Sequence, residues 1–65
     1  MGALLTTIQA LLLTYRYNGG TVADAAAAFR LTVPETRQAE AEAMRVLRDA
    51  GHDATAIRQA FTRQA

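Results

Sequence analysis

Few residues in this chain are of types that do chemistry, and their spacing gives them little to do. Cysteine is absent, which excludes disulfides and thiolate metal sites together. The single histidine, His52, has no carboxylate partners at metal-ligand spacing. It stands in a Gly51-His52-Asp53 turn, where an exposed imidazole is ordinary and a pH switch the rarer use. No nucleophile is paired with a base, and no two carboxylates flank an apolar pocket. Gly19-Gly20-Thr21 precedes a helix start that would suit an anion, but no strand leads into it. A helix stop followed by a helix cap accounts for the same residues. The chain reads as non-enzymatic, with no cofactor, no metal and no evident small-molecule substrate.

Two surfaces remain as candidates. The first is a strip of arginines, Arg37, Arg45 and Arg48, with Ala41 between them. At helical spacing it could meet phosphates or guanine edges of a nucleic acid. Glu35, Glu40, Glu42 and Asp49 on the same helix oppose that use, and Glu42 and Asp49 are spaced to pair with Arg45. The second is an apolar line, Ala10, Leu13 and Tyr17, with Thr6, also at helical spacing. It lies opposite a longer stripe made by Leu4, Leu5, Ile8, Leu11, Leu12 and Tyr15. The longer stripe is expected to face the domain's own core. The shorter one is then free for a second chain, with Ala10 permitting close approach.

The elements that hold these residues are helices. The first is expected from Gly2 or Ala3 to about Tyr17, stopped by Asn18-Gly19-Gly20. A short second helix begins at Thr21, with Asp24 at the third position and Val22, Ala25, Ala26 and Phe29 inward. The third and longest is expected over 33–50. Thr32 and Glu35 form its capping box, Pro34 sits in its first turn and Gly51 follows it. Thr36, Ala39, Ala43, Val46, Leu47 and Ala50 make its inward side, with Met44 at the edge. Asp53 caps a last helix carrying Ala54, Ile57, Ala60 and Phe61 inward and running out at Gln64-Ala65. The fold expected is one small all-α domain over 1–65: four helices, as two helix-turn-helix hairpins around a long third.

A shift of 32 residues aligns the chain with itself. Leu12, Tyr15, Arg16, Gly19, Val22, Ala25, Ala28 and Phe29 fall on Met44, Leu47, Arg48, Gly51, Ala54, Ile57, Ala60 and Phe61, with four identities among the eight pairs. The second copy, Leu47 to Phe61, resembles the helical-hairpin repeats found in arrays in some bacterial proteins: a leucine, an Ala-Gly-aromatic turn and a capped helix ending Ala-Leu or Ala-Phe. His52 stands where those repeats place tyrosine. That resemblance implies scaffolding or interaction. A different stretch, Phe29-Arg-Leu-Thr-Val-Pro-Glu-Thr-Arg, resembles the turn of helix-turn-helix DNA-binding proteins. Arg30 replaces its usual glycine, and Arg37 falls where an inward apolar residue is expected. One inserted residue would repair the second departure.

Size and charge set the balance between these readings. A chain of 65 residues buries only about 60% of its unfolded surface and gains from association. A net charge of +1 gives no strong pull toward nucleic acid or an anionic membrane. The apolar run from Leu4 to Leu13 is too short to span a bilayer and lacks the flanks of a signal peptide. Met1-Gly-Ala-Leu-Leu-Thr fits a myristoylation pattern of low specificity. The expectation is a cytoplasmic bacterial or phage module for protein interaction or self-assembly, a homo-oligomer or the partner of another protein. The alternative is a small helix-turn-helix DNA-binding regulator.

Overall fold

Thr6 opens the first helix. Its hydroxyl accepts the Gln9 amide at 3.1 Å, and the Gln9 side chain accepts the Thr6 amide at 3.1 Å. This closed capping box starts α1 at Thr7, and the helix runs Thr7–Tyr17. The structure, a computed structural model, describes residues 5–62. The sequence places the helix start four or five residues too early, because the box sits inside the apolar run that suggested a longer helix. Gly2, Ala3, Leu4 and the run-out at Gln64-Ala65 lie outside the described residues.

The other starts follow the same chemistry. Thr21 accepts the Asp24 amide at 3.0 Å and opens α2, Val22–Ala28. Thr32 and Glu35 exchange amide bonds of 3.2 and 2.8 Å and open α3, Val33–Asp49. Asp53 accepts the Ala56 amide at 2.7 Å and opens α4, Ala54–Phe61. Helices this short are marginal alone, so capping and packing must supply their stability.

Three helix ends close by one motif. The amides of Gly20, Leu31 and His52 reach back to the carbonyls of Tyr15, Ala26 and Leu47, at 3.0, 2.8 and 3.0 Å. Each closure puts the preceding residue in the left-handed region: Gly19 at φ 101°, Gly51 at φ 99° and Arg30 at φ 57°. Glycine accepts this conformation freely, whereas a residue with a Cβ does not. Gly20 serves another purpose. A Cβ there would run into the Tyr15 ring and lie 2.9 Å from the Tyr15 carbonyl oxygen.

Among the described residues the fold is all-α, four helices, with α1 packed against each of the other three and α2 against α3. Leu13 of α1, Ala43 and Leu47 of α3 and Ile57 of α4 form one buried cluster, with Leu5, Tyr17, Met44 and Phe61 packed around it. The remaining buried residues, Leu12, Ala25, Ala26 and Thr36, belong to α1, α2 and α3. Thr36 satisfies its hydroxyl by donating to the Thr32 carbonyl at 2.9 Å. Ala50, Ala54 and Ala60, expected inward, are exposed. Ala50 is the cap residue of α3, beyond its last packed turn, and the exposed alanines leave Ile57 and Phe61 to anchor α4.

Two stability predictions follow from the caps. Arg30→Gly is expected to stabilise the fold by about 1 kcal/mol, read as a rise in urea midpoint and about 4–8 °C in Tm. A loss of stability would mean that the Arg30 side chain contributes more than its backbone costs. Donation by the Thr32 amide, and then the Thr32 hydroxyl, holds the exposed Glu35 carboxyl below its ordinary value of 4.5. A carboxyl depressed on folding adds stability that is full above pH 4.5 and is lost as pH falls through the folded value. The advantage of wild type over Glu35→Gln, measured by denaturant titration, should therefore be constant near neutrality and shrink below that pH. A pH-independent difference would refute the capping carboxylate.

Candidate functional site

The expected interface on α1 faces inward. Leu13 is 3% exposed within the central cluster. Tyr17 is half-buried, stacks on Phe61 with ring centroids 6.4 Å apart, and donates its hydroxyl to Met44 Sδ at 3.7 Å. Ala10 is half-buried too. Leu13 thus lies in the core and Tyr17 packs against it, so this line of α1 is turned toward the other helices.

The cause is a rotation of α1 by roughly one residue step, about 100°, from the expected orientation. Its inward side carries Gln9, Leu12, Leu13, Arg16 and Tyr17, every one buried or half-buried, and Leu5, just before the cap, packs on the same cluster. Two polar residues lie along the middle of this side. Gln9 is committed to the cap, and Arg16 Nε meets Glu40 Oε1 of α3 at 2.6 Å. Arg16 also donates to the Gly20 carbonyl at 3.4 Å. A hydrophobic pattern turns away from an arginine, and only the position of Glu40 makes this one acceptable inside.

What the rotation turns outward is the other stripe. Ile8 is 46% exposed, Leu11 49% and Tyr15 37%, all on one side of α1. Exposed neighbours on that side, Thr7 and Asn18, are uncharged, and the helix's one charged residue is the Arg16 already paired with Glu40. Tyr15 is held in place, edge-on to Phe29 at 6.0 Å and against Gly20. Beside it an open groove of about 540 Å³ is bordered by Leu11, Tyr15, Asn18, Gly20 and Phe29, with Asp24 at its rim. A half-open cavity of about 210 Å³ lies between α1 and α3, against Leu13, Tyr17 and Met44. Its charges, Arg16 and Glu40, are spent on each other, so it offers a ligand no uncommitted group.

The second candidate surface keeps its expected orientation. Arg37, Arg45 and Arg48 are all exposed on α3. Arg45 pairs with Glu42 at 3.1 Å, as its spacing predicts; Asp49 is not within ion-pair distance of it. Arg37 and Arg48 have no acidic partner among the described residues. Glu40 is drawn off this face by Arg16, and Glu35 is occupied at the cap. The inward position at the start of α3 belongs to Thr36, 0% exposed, so Arg37 points to solvent and no insertion is needed to place it there. Arg30 takes the left-handed conformation that a glycine would have taken.

Among the described residues no three His, Asp or Glu side chains are grouped to hold a metal ion, and no helix is long and apolar enough to cross a membrane. No family model, no curated protein and no solved structure matches the chain.

Proposed function

We propose that this chain is a non-enzymatic interaction module that binds another protein surface through the outward stripe of α1. The observation that carries this reading is the half-exposure of Ile8, Leu11 and Tyr15 on one uncharged helix face. A single exposed leucine is ordinary, but three large apolar side chains in line, flanked by a groove, support a contact surface. The held Tyr15 ring adds to this, since an anchor already ordered loses little entropy on binding.

A second reading, DNA binding by α2 and α3, is favoured by Thr36 and Arg30. The buried Thr36 and the left-handed Arg30 support the resemblance of the stretch from Thr21 into α3 to a helix-turn-helix unit. Arg37 and Arg48 are then free for phosphates. The exposed Glu42 and Asp49 weigh against it.

Paired substitutions test the first reading. Leu13→Ala should destabilise the fold by about 2–5 kcal/mol. Leu11→Glu should change the stability of the dilute monomer by no more than about 0.5 kcal/mol. Denaturant titration gives both, and a loss at Leu11 as large as that at Leu13 would make the stripe part of the core. For the second reading, duplex binding should weaken with salt, and Arg37→Ala should flatten the slope of log K against log salt by about 1. Absence of duplex binding by the wild type at low salt would end that reading.

A further inference from the structure

We infer that the occupant of the α1 stripe is a second copy of this chain, docked antiparallel about a two-fold axis near Leu11. This rests on the reading of the stripe as an interaction surface and names its partner. Three features of the face point to self-pairing.

The first is charge. A two-fold contact brings each patch against itself, so any net charge on it repels its own copy. The exposed part of α1 carries none, because Arg16 is turned inward to Glu40. A face without charge also has no sign by which to select a charged partner.

The second is shape. Ile8 and Tyr15 stand seven residues apart, about 10 Å along the helix, with Leu11 midway. Reversing one copy about Leu11 brings Ile8 of each chain opposite Tyr15 of the other. There the groove beside Tyr15, Gly20 and Phe29 receives the isoleucine. The projecting and the receiving feature lie on the same helix face, which is what an isologous contact requires.

The third is the rim. α1 has no acidic residue in its first turn, so its own helix supplies no negative charge to the positive end of its dipole. Asp24, at the edge of the groove, is the acid that the reversed helix start would approach.

The stripe exposes on the order of 300 Å² per copy, below the roughly 800 Å² per partner of a long-lived interface. The dimer is therefore reversible and depends on concentration. Sedimentation velocity on the full chain, from low micromolar to millimolar, should show monomer passing into dimer. Leu11→Glu, with an unchanged circular dichroism spectrum, should raise the dissociation constant by at least about tenfold, since it sets like charges face to face at the axis. The cysteine-free background allows a check that does not need that variant to fold. Under mild oxidation Leu11→Cys should cross-link to itself, and Ile8→Cys should couple to Tyr15→Cys in a mixture but not to itself.

A wild type that stays monomeric throughout overturns the second copy as occupant. The interaction reading would survive that result if Leu11→Glu remained neutral to monomer stability, and would fall with it otherwise. A dimer that persists in Leu11→Glu, or Ile8→Cys cross-linking to itself, overturns the antiparallel arrangement.

Discussion

Leu12 and Leu13, neighbours in sequence and both buried, fix the rotation of α1 about its own axis. The rest of the structure depends on that rotation, because α1 packs against each of the other three helices. Successive helical residues point about 100° apart, so two buried neighbours set the inward direction between them. Leu13 then joins α3 and α4 through Ala43, Leu47 and Ile57. Arg16 is carried onto Glu40. Asn18, just past the helix end, reaches the Phe61 carbonyl with Nδ2 at 2.9 Å and ties the end of α1 to the end of α4.

The core assembled this way is small, and three of its buried residues are alanines: Ala25, Ala26 and Ala43. Small side chains let helix axes approach but bury little apolar area each. Little stability can then come from bulk, and local devices carry more of it. Every helix begins with a side-chain cap, and three closures share one backbone motif. In a domain whose total stability is a few kcal/mol, caps of about 1 kcal/mol each decide whether segments as short as α2 and α4 are helical at all.

The same division explains what could be read in the chain. Local chemistry was legible: Thr32 with Glu35, Thr21, Asp53, Gly19 and Gly51 mark α2, α3, α4 and the turns within a residue of where they stand. The start of α1 was misplaced although Thr6 and Gln9 carry the same kind of signal, because apolar residues surround the box and periodicity outweighed it. The orientation of α1 was not legible, so Leu13, expected on an open stripe, lies in the core instead. A hydrophobic pattern finds two stripes on this helix but does not say which one neighbours will cover. The deciding residues were Arg16 and Gln9, polar groups that belong inside only once Glu40 and the cap are in place. On α3 the outward orientation of Arg37, Arg45 and Arg48 was legible, since a polar face opposite a well-defined apolar one leaves a single rotation. The inward place of Thr36 there was also expected. Its bearing on the turn resemblance is hidden in the sequence, because the turn pattern aligned by its residues sets Arg37, one residue later, at the inward position.

Magnitudes show why α1 settles as it does. Turning the helix to bury the half-exposed Ile8, Leu11 and Tyr15 would expose the buried Leu13 and the half-buried Tyr17, an exchange whose apolar balance is close to even. The observed rotation gains the Arg16–Glu40 pair, the Asn18 bond to α4 and the Tyr17 contact with Met44. A partly exposed ion pair is worth about 0–1 kcal/mol and each hydrogen bond about 0.5–1.5 kcal/mol. With the apolar exchange near even, polar contacts of this size with α3 and α4 are strong enough to choose between two competing stripes. The choice leaves a well-formed apolar face in water. A chain with so small a core has little reserve for such exposure, and the association proposed for this face would recover it.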